Sequence, residues 1–205
     1  MWGDIAIAFL LAFITTFVVT PHTMRLAKKV GAIDIPNDRR VNKKPMPRLG
    51  GLAVIAGFVV SIIYLFITTS IEGKLNLFGG ENYFLKMLGF FLGALVLGVV
   101  CYIDDVKGVP SLVKLTAQII ASIIVVARGI KIENISIPFI EGKIIMGDIF
   151  SYVLTICWIV GITNAINLID GLDGLSSGVT LISCLSLLMV FALNGSPLIA
   201  IVLIT

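Results

Sequence analysis

Four polar side chains recur at three-residue steps near the C-terminal end of the chain: Asn164, Asn167, Asp170 and Asp173, in the run N-A-I-N-L-I-D-G-L-D-G-L. Hydrophobic residues make up 58% of the chain, and carboxylates within such a sequence are costly unless something coordinates them. On one uninterrupted α-helix each three-residue step falls about 60° short of a full turn, which would send Asn164 and Asp173 to opposite sides. The spacing therefore predicts a helix that stops near Gly171, where a missing Cβ permits a turn and lets the carboxylates converge. The simpler alternative is a polar helix end with a glycine cap facing water.

A second acidic pair, Asp104 and Asp105, ends an earlier apolar stretch and precedes the turn V-K-G-V-P. Neighbouring carboxylates repel unless they share a cation or a proton. Mg²⁺ takes one or two protein carboxylates and completes its shell with water and phosphate oxygens, so this pair suits a site that handles a pyrophosphate; without a ligand it is only an acidic helix end. Basic residues supply the complementary chemistry. Lys114, one helical turn into the next apolar stretch, adds a cation near Asp104 and Asp105. The segment 25–48 holds Arg25, Lys28, Lys29, Arg39, Arg40, Lys43, Lys44 and Arg48, more than half of the fifteen Lys and Arg. These charges could merely orient the protein and attract anionic lipid. The prolines and glycines around them, Pro36, Pro45, Pro47, Gly50 and Gly51, suggest a loop that holds phosphates in a fixed place.

The elements that must position these groups cross a membrane. A mean hydropathy of +1.09 with 13% charged residues excludes an ordinary soluble domain. Apolar stretches long enough for a hydrocarbon layer of about 30 Å run from Ile5 to Met24, Leu49 to Ile71, Met87 to Ile103, Ile149 to Ile169 and Leu175 to Leu193. A shorter one, Leu115 to Ala127, is extended by Ser111, Lys114 and Gln118 if Lys114 snorkels. Leu198 to Thr205 begins another after the turn Asn194-Gly195-Ser196-Pro197. The expected fold is all-α and polytopic: one membrane domain over 1–205, with six complete transmembrane helices and the start of a seventh, as the first part of a larger protein. The first span lacks a basic leader and a cleavage pattern and reads as a retained helix. Cys101, Cys157 and Cys184 have no metal-like spacing and read as packing residues. His22, beside Pro21 at a helix end, reads as structural.

Charge sets the topology. The basic 25–48 loop is expected in the cytoplasm with the N-terminus outside, and counting helices returns both Asp104-Asp105 and Asp170-Asp173 to that same face. Residues 129–148 fall on the other side. There Ile130, Ile132, Ile135 and Ile137 alternate with polar residues, a turn follows at Glu141-Gly142, and Ile144-Ile145 resume, which predicts an extracytoplasmic β-hairpin. Asp148 is expected to cap the next helix.

The combination P-R-L-G-G (Pro47 to Gly51), D-D-x-x-G (Asp104 to Gly108), S-x-x-K-L-x-x-Q (Ser111 to Gln118) and N-x-x-N-x-x-D-G-x-D-G-L (Asn164 to Leu175) resembles the polyprenyl-phosphate N-acetylhexosamine-1-phosphate transferases of the WecA and TagO type, and MraY more distantly. The resemblance covers nearly the whole chain. It implies an enzyme that moves N-acetylhexosamine 1-phosphate, with GlcNAc 1-phosphate foremost, from a UDP-sugar to undecaprenyl phosphate, releasing UMP, as a first membrane step of envelope polysaccharide synthesis in the bacterial plasma membrane. By the same implication Asp104 and Asp105, with Asn167, hold Mg²⁺, for which Mn²⁺ can substitute. Asp104, Asp105, Asp170 and Asp173 are the catalytic candidates; Asn164, Asn167, Lys114, Lys44 and Arg48 the substrate-binding ones. Asp104 or Asp105 could instead deprotonate the lipid phosphate or attack the donor, and direct displacement and a covalent intermediate both stay open. The implied partners are the UDP-sugar, the lipid acceptor, membrane lipids and, as a candidate, a second copy of the chain, but no nucleic acid.

The chain departs from the pattern in two ways. Asn42 stands where many relatives have histidine after R-K-V, so no imidazole role is expected there. The family's later cytoplasmic loops, with a further metal-binding aspartate and a histidine-rich motif, are expected outside these residues; Met146-Gly147-Asp148 is not that aspartate motif, because it precedes the fifth span and falls outside. The rival reading is a cation-coupled transporter, whose ion sites sit near the midplane on broken helices. Both acidic clusters here fall at span ends. The signature of the CDP-alcohol phosphotransferases is absent, since Asp170-Gly171 is followed by Leu172-Asp173-Gly174.

Overall fold

The computed structural model describes residues 2–36, 44–71, 83–136, 142–172 and 174–193. Among these, six helices account for most of the chain: α1 (Trp2–Val30), α2 (Gly50–Ile71), α3 (Tyr83–Lys107), α4 (Ser111–Ala127), α5 (Asp148–Ile169) and α6 (Leu175–Leu193). Two antiparallel pairs of two-residue strands complete it: β1 (Ile33–Asp34) with β2 (Met46–Pro47), and β3 (Asn134–Ile135) with β4 (Ile144–Ile145). Four helices, α1, α2, α3 and α5, are long and apolar enough to cross a membrane, while α4 and α6 are shorter apolar helices. The protein is a multi-pass membrane protein. The expected start of a seventh span, and the turn before it, lie outside the described residues, as do Ile137 and Glu141 of the hairpin.

Burial is inverted relative to a water-soluble fold. Phe13, Phe17, Ile63, Leu95 and Trp158 are exposed, whereas Ala8, Ala12, Ala53, Ser61, Ala121 and Ser122 are buried. Helices in lipid gain nothing by hiding leucine from hydrocarbon, so they associate through small residues that let backbones approach. No buried side-chain nitrogen or oxygen among the described residues lacks a partner.

The chain packs as two compact units. The first holds α1, β1, β2, α2, the last three residues of α3 (Asp105–Lys107), and Ile169 with α6. Here Ala8 and Ala12 on α1 are buried, as are Ala53, Gly57 and Ser61 at four-residue steps on α2. A Cβ built on Gly57 would stand 2.6 Å from the Ala12 carbonyl oxygen, so the two backbones touch there. Helix α1 runs through Pro21 and on to Val30. Pro21 and His22 are therefore interior, not at an end, and Arg25, Lys28 and Lys29 belong to helix and not to the basic loop. Cations in a last helical turn complement the helix dipole, which favours this extension. His22 Nδ1 lies 3.0 Å from the Val18 carbonyl oxygen of its own helix, in keeping with a structural role.

The second unit holds α3 up to Asp104 and residues from Gly108 to Leu168. A Cβ on Gly93 would meet the Ala121 carbonyl oxygen at 3.1 Å, so α3 and α4 also pack at backbone distance, and Gly89 abuts the stem of Arg128. The hairpin expected over 129–148 is present but short, with Asn134 opposite Ile145 and Ile135 opposite Ile144. It is moored to α5. The Ile132 N–H donates to Thr155 Oγ1 at 2.9 Å and Ser151 Oγ donates to the Ile132 carbonyl at 2.5 Å. Asp148 is the first residue of α5 and not the residue before it. Ser151 N–H donates to the Gly147 carbonyl at 3.0 Å, which puts Gly147 at the cap position, and the Asp148 carboxylate turns to Lys131 at 2.5 Å. That hydrogen bond raises the pKa of the Lys131 ammonium, which also stands 5.1 Å from the centre of the Tyr152 ring.

Candidate active site

Asp104 and Asp105 occupy the last turn of α3, which continues past Ile103 to Lys107. Successive side chains on a helix diverge by about 100°, so the two carboxylates do not face one another. Both stand at the negative end of the helix dipole, an unfavourable place for an acid. Asp104 is compensated directly. Its Oδ2 lies 2.7 Å from Lys114 Nζ, and its Oδ1 accepts the Val109 N–H at 2.9 Å. The cation expected beside the acidic pair is thus in contact with one member of it. Asp105 is half-buried.

The turn between α3 and α4 explains the D-D-x-x-G spacing. Gly108, four residues after Asp104, takes φ 71° and donates its N–H to the Asp104 carbonyl at 2.8 Å, a left-handed helix ending that glycine adopts without Cβ strain. Pro110 occupies the N-cap of α4 with no side-chain cap bond, and Lys114 falls in that helix's first turn.

One turn further along α4, Gln118 is 9% exposed and meets Asn164 of α5. Asn164 Nδ2 donates to Gln118 Oε1 at 2.6 Å and to its own helix at the Val160 carbonyl at 2.8 Å; Gln118 Nε2 is 3.5 Å from Asn164 Oδ1. Asn164, expected to bind substrate, spends both amide hydrogens on these contacts. A carboxamide pair of this kind between apolar helices contributes about 0.6 to 2 kcal/mol. In the sequence Gln118 stands out only within a motif and as an extension of the short apolar stretch, although its position four residues after Lys114 already puts it on the same face of α4.

Asn167 is exposed on the last turn of α5, and Asp170 is exposed just beyond it. The helix stops there as the spacing predicts, but the glycine whose freedom is needed is Gly174, at φ 76°, and not Gly171, whose backbone is outside the left-handed region. Asp173 lies outside the described residues.

In the first unit, β1 and β2 bring the two ends of the basic segment together. Arg48, expected to meet phosphate, donates through Nε and Nη2 to Asp34 Oδ1, and its N–H donates to the Ala32 carbonyl at 3.0 Å. Leu49 is 2% exposed, and Gly50 opens α2. Much of P-R-L-G-G is therefore a clamp: strand, ion pair, buried leucine, helix start. Asp34, an acid in a mainly basic stretch, was not singled out from sequence. Lys44 is exposed just before β2, while residues 37–43, with Arg39, Arg40, Asn42 and Lys43, lie outside the described residues.

No three His, Cys, Asp or Glu side chains among the described residues group as a metal cage. Mg²⁺ does not need one, because one or two carboxylates suffice when water and phosphate complete the shell. Asp105 and Asp170 are carboxylates of that donor type. Asp104 fits less well, since the Lys114 ammonium already neutralises it.

Residues 87–205 match the family described as Glycosyl transferase family 4. A Bacillus subtilis protein named "Probable undecaprenyl-phosphate N-acetylglucosaminyl 1-phosphate transferase" is 38% identical over 93% of the chain and 49% of its own length. A decaprenyl-phosphate N-acetylglucosaminephosphotransferase of Mycobacterium tuberculosis is 34% identical over 91% of the chain and 45% of its own. The undecaprenyl-phosphate alpha-N-acetylglucosaminyl 1-phosphate transferase of Escherichia coli K12 is 28% identical over 92% and 47%. The chain spans about half the length of the curated relatives it matches, and no solved structure matches it significantly. With a family match over more than half of its residues, together with an Asp104 elbow and an Asn164-to-Gly174 helix break that bear the motifs singled out from sequence, the chain belongs to glycosyl transferase family 4.

Proposed function

We propose that the protein transfers GlcNAc 1-phosphate from UDP-GlcNAc to undecaprenyl phosphate and releases UMP. One observation carries this reading: the three relatives, each aligned over at least 91% of the chain, name undecaprenyl phosphate twice and decaprenyl phosphate once, and all three agree on the N-acetylglucosamine phosphate. The transporter alternative draws no support from them. Lys114 offers an ammonium to donor phosphate, and Asn167 and Asp170, at the end of α5, together with Asp173, line the nucleotide-sugar side. Asp105 and Asp170 are the donors that would hold Mg²⁺ or Mn²⁺, which when bound supplies charge neutralisation at the pyrophosphate. The rest is positioning: such reactions are accelerated chiefly by orientation and electrostatics. Membranes bearing the full-length protein should incorporate labelled GlcNAc phosphate from UDP-GlcNAc into lipid and exchange labelled UMP into UDP-GlcNAc. Neither product forms if the protein only moves ions.

The topology proposed with this reading has six crossings, the N-terminus outside, and the ends of α3 and α5 at the cytoplasmic face. The shorter α4 crosses with its Lys114 end at the interface. In a background lacking Cys101, Cys157 and Cys184, a cysteine at 148 should react with an impermeant thiol reagent added outside, and one at 173 should not. The opposite labelling would overturn the orientation.

A further inference from the structure

Resting on the transfer reaction proposed above, we infer that Asp104 is a positioning residue and not a metal ligand: it pins Lys114 and the α3–α4 elbow, and so sets where that ammonium meets the donor phosphate. Three bonds converge on this one residue from the segment that follows it. Its carbonyl accepts the Gly108 N–H at 2.8 Å, Oδ1 accepts the Val109 N–H at 2.9 Å, and Oδ2 holds Lys114 Nζ at 2.7 Å. Pro110 has no N–H, so Val109 carries the last backbone donor ahead of α4, and Asp104 takes it.

The charges explain why the pair is built this way. An acid in the last turn of α3 and a cation in the first turn of α4 each stand at the wrong end of their own helix dipole. Joined to each other, both are corrected. A divalent ion at Asp104 would have to approach a carboxylate that an ammonium already neutralises at 2.7 Å, against like-charge repulsion. Lys114 has three donor hydrogens and a side chain 38% exposed, so it can hold Asp104 and still present N–H groups to an anion. The two adjacent aspartates then divide the work, Asp104 holding the cation and Asp105 serving the metal.

The test uses purified full-length protein carrying Asp104→Asn, Lys114→Gln, both together, or Asp105→Asn. Mn²⁺ binding is read by electron paramagnetic resonance, and KM for UDP-GlcNAc and kcat are read separately. Asp104→Asn should bind Mn²⁺ within about twofold of the parent, while Asp105→Asn weakens it by about tenfold or more, the scale of a disturbed metal site. KM should rise about tenfold in Asp104→Asn and in Lys114→Gln, the scale of one charge-assisted hydrogen bond, and no further in the double variant. A merely structural Asp104 would reduce the active fraction, hence kcat, and leave KM unchanged. Tenfold loss of Mn²⁺ binding in Asp104→Asn, an unchanged KM, or KM effects that multiply in the double variant would overturn the assignment. If the parent shows no transfer at all, the functional reading fails. Mn²⁺ binding and a double-mutant cycle in thermal stability then still decide the role of Asp104, with non-additive losses and retained binding expected.

Discussion

Asp105→Asn in the full-length protein should lower GlcNAc-phosphate transfer by about a hundredfold or more, because removing a ligand charge from a metal-assisted site forfeits several kcal/mol of transition-state stabilisation. Asp170→Asn should also damage turnover, since Asp170 follows the end of α5 in the N-x-x-N-x-x-D-G-x-D-G-L run proposed to line the nucleotide-sugar side. Asp148→Asn is the control. Its carboxylate is engaged by Lys131 beside the hairpin, at the opposite end of α5 from Asp170, and its loss should leave transfer within about twofold, the range of a surface substitution. Transfer that persists at full rate in EDTA would remove the metal from the reaction, and transfer that survives Asp105→Asn would remove Asp105 as a required ligand.

Gly57→Leu should have the largest effect on folding. The position is buried, and a Cβ there would lie 2.2 Å from Thr16 Oγ1 and 2.6 Å from the Ala12 carbonyl oxygen. The hydroxyl can rotate away; the carbonyl belongs to the α1 backbone and cannot. Overpacking at such a contact costs about 3 kcal/mol, with even Gly57→Ala losing part of that. Denaturation of the purified protein in mixed micelles should show it as an early transition. Gly51→Ala gives the comparison, because a Cβ at Gly51 meets nothing within 4 Å.

Helix existence was legible in the sequence to within a few residues. Ile71, Ala127, Ile169, Leu175 and Leu193 end or begin helices where the apolar stretches do. The misses share a cause. Hydropathy marks where a chain ceases to be apolar, which is not where it ceases to be helical, so α1 passes Met24 to reach Val30 and α3 passes Ile103 to reach Lys107. That second extension matters for the site, because it places Asp104 and Asp105 on a helix and turns them apart. A motif names residues and not partners: Asp34 and Arg48 are 14 positions apart, and Gln118 and Asn164 are 46. Gly171 and Gly174 were equally able to make a turn from composition alone, and only the backbone angle distinguishes them.

The buried hydroxyls bear on how the protein is made. Thr23, Ser61 and Ser122 each donate to a carbonyl three residues back in their own helix, so in the six-crossing topology proposed above α1, α2 and α4 would carry these hydroxyls into hydrocarbon already satisfied. With respect to those groups, the translocon can release each helix without waiting for a neighbour. Gln118 and Asn164 answer one another across two helices. Until α5 arrives, the Gln118 amide on α4 has no such partner in an apolar surrounding that charges several kcal/mol for an unmet polar group. Membrane integration should therefore favour α4 and α5 leaving the translocon together, with the hairpin between them as the tether that makes their meeting intramolecular and fast.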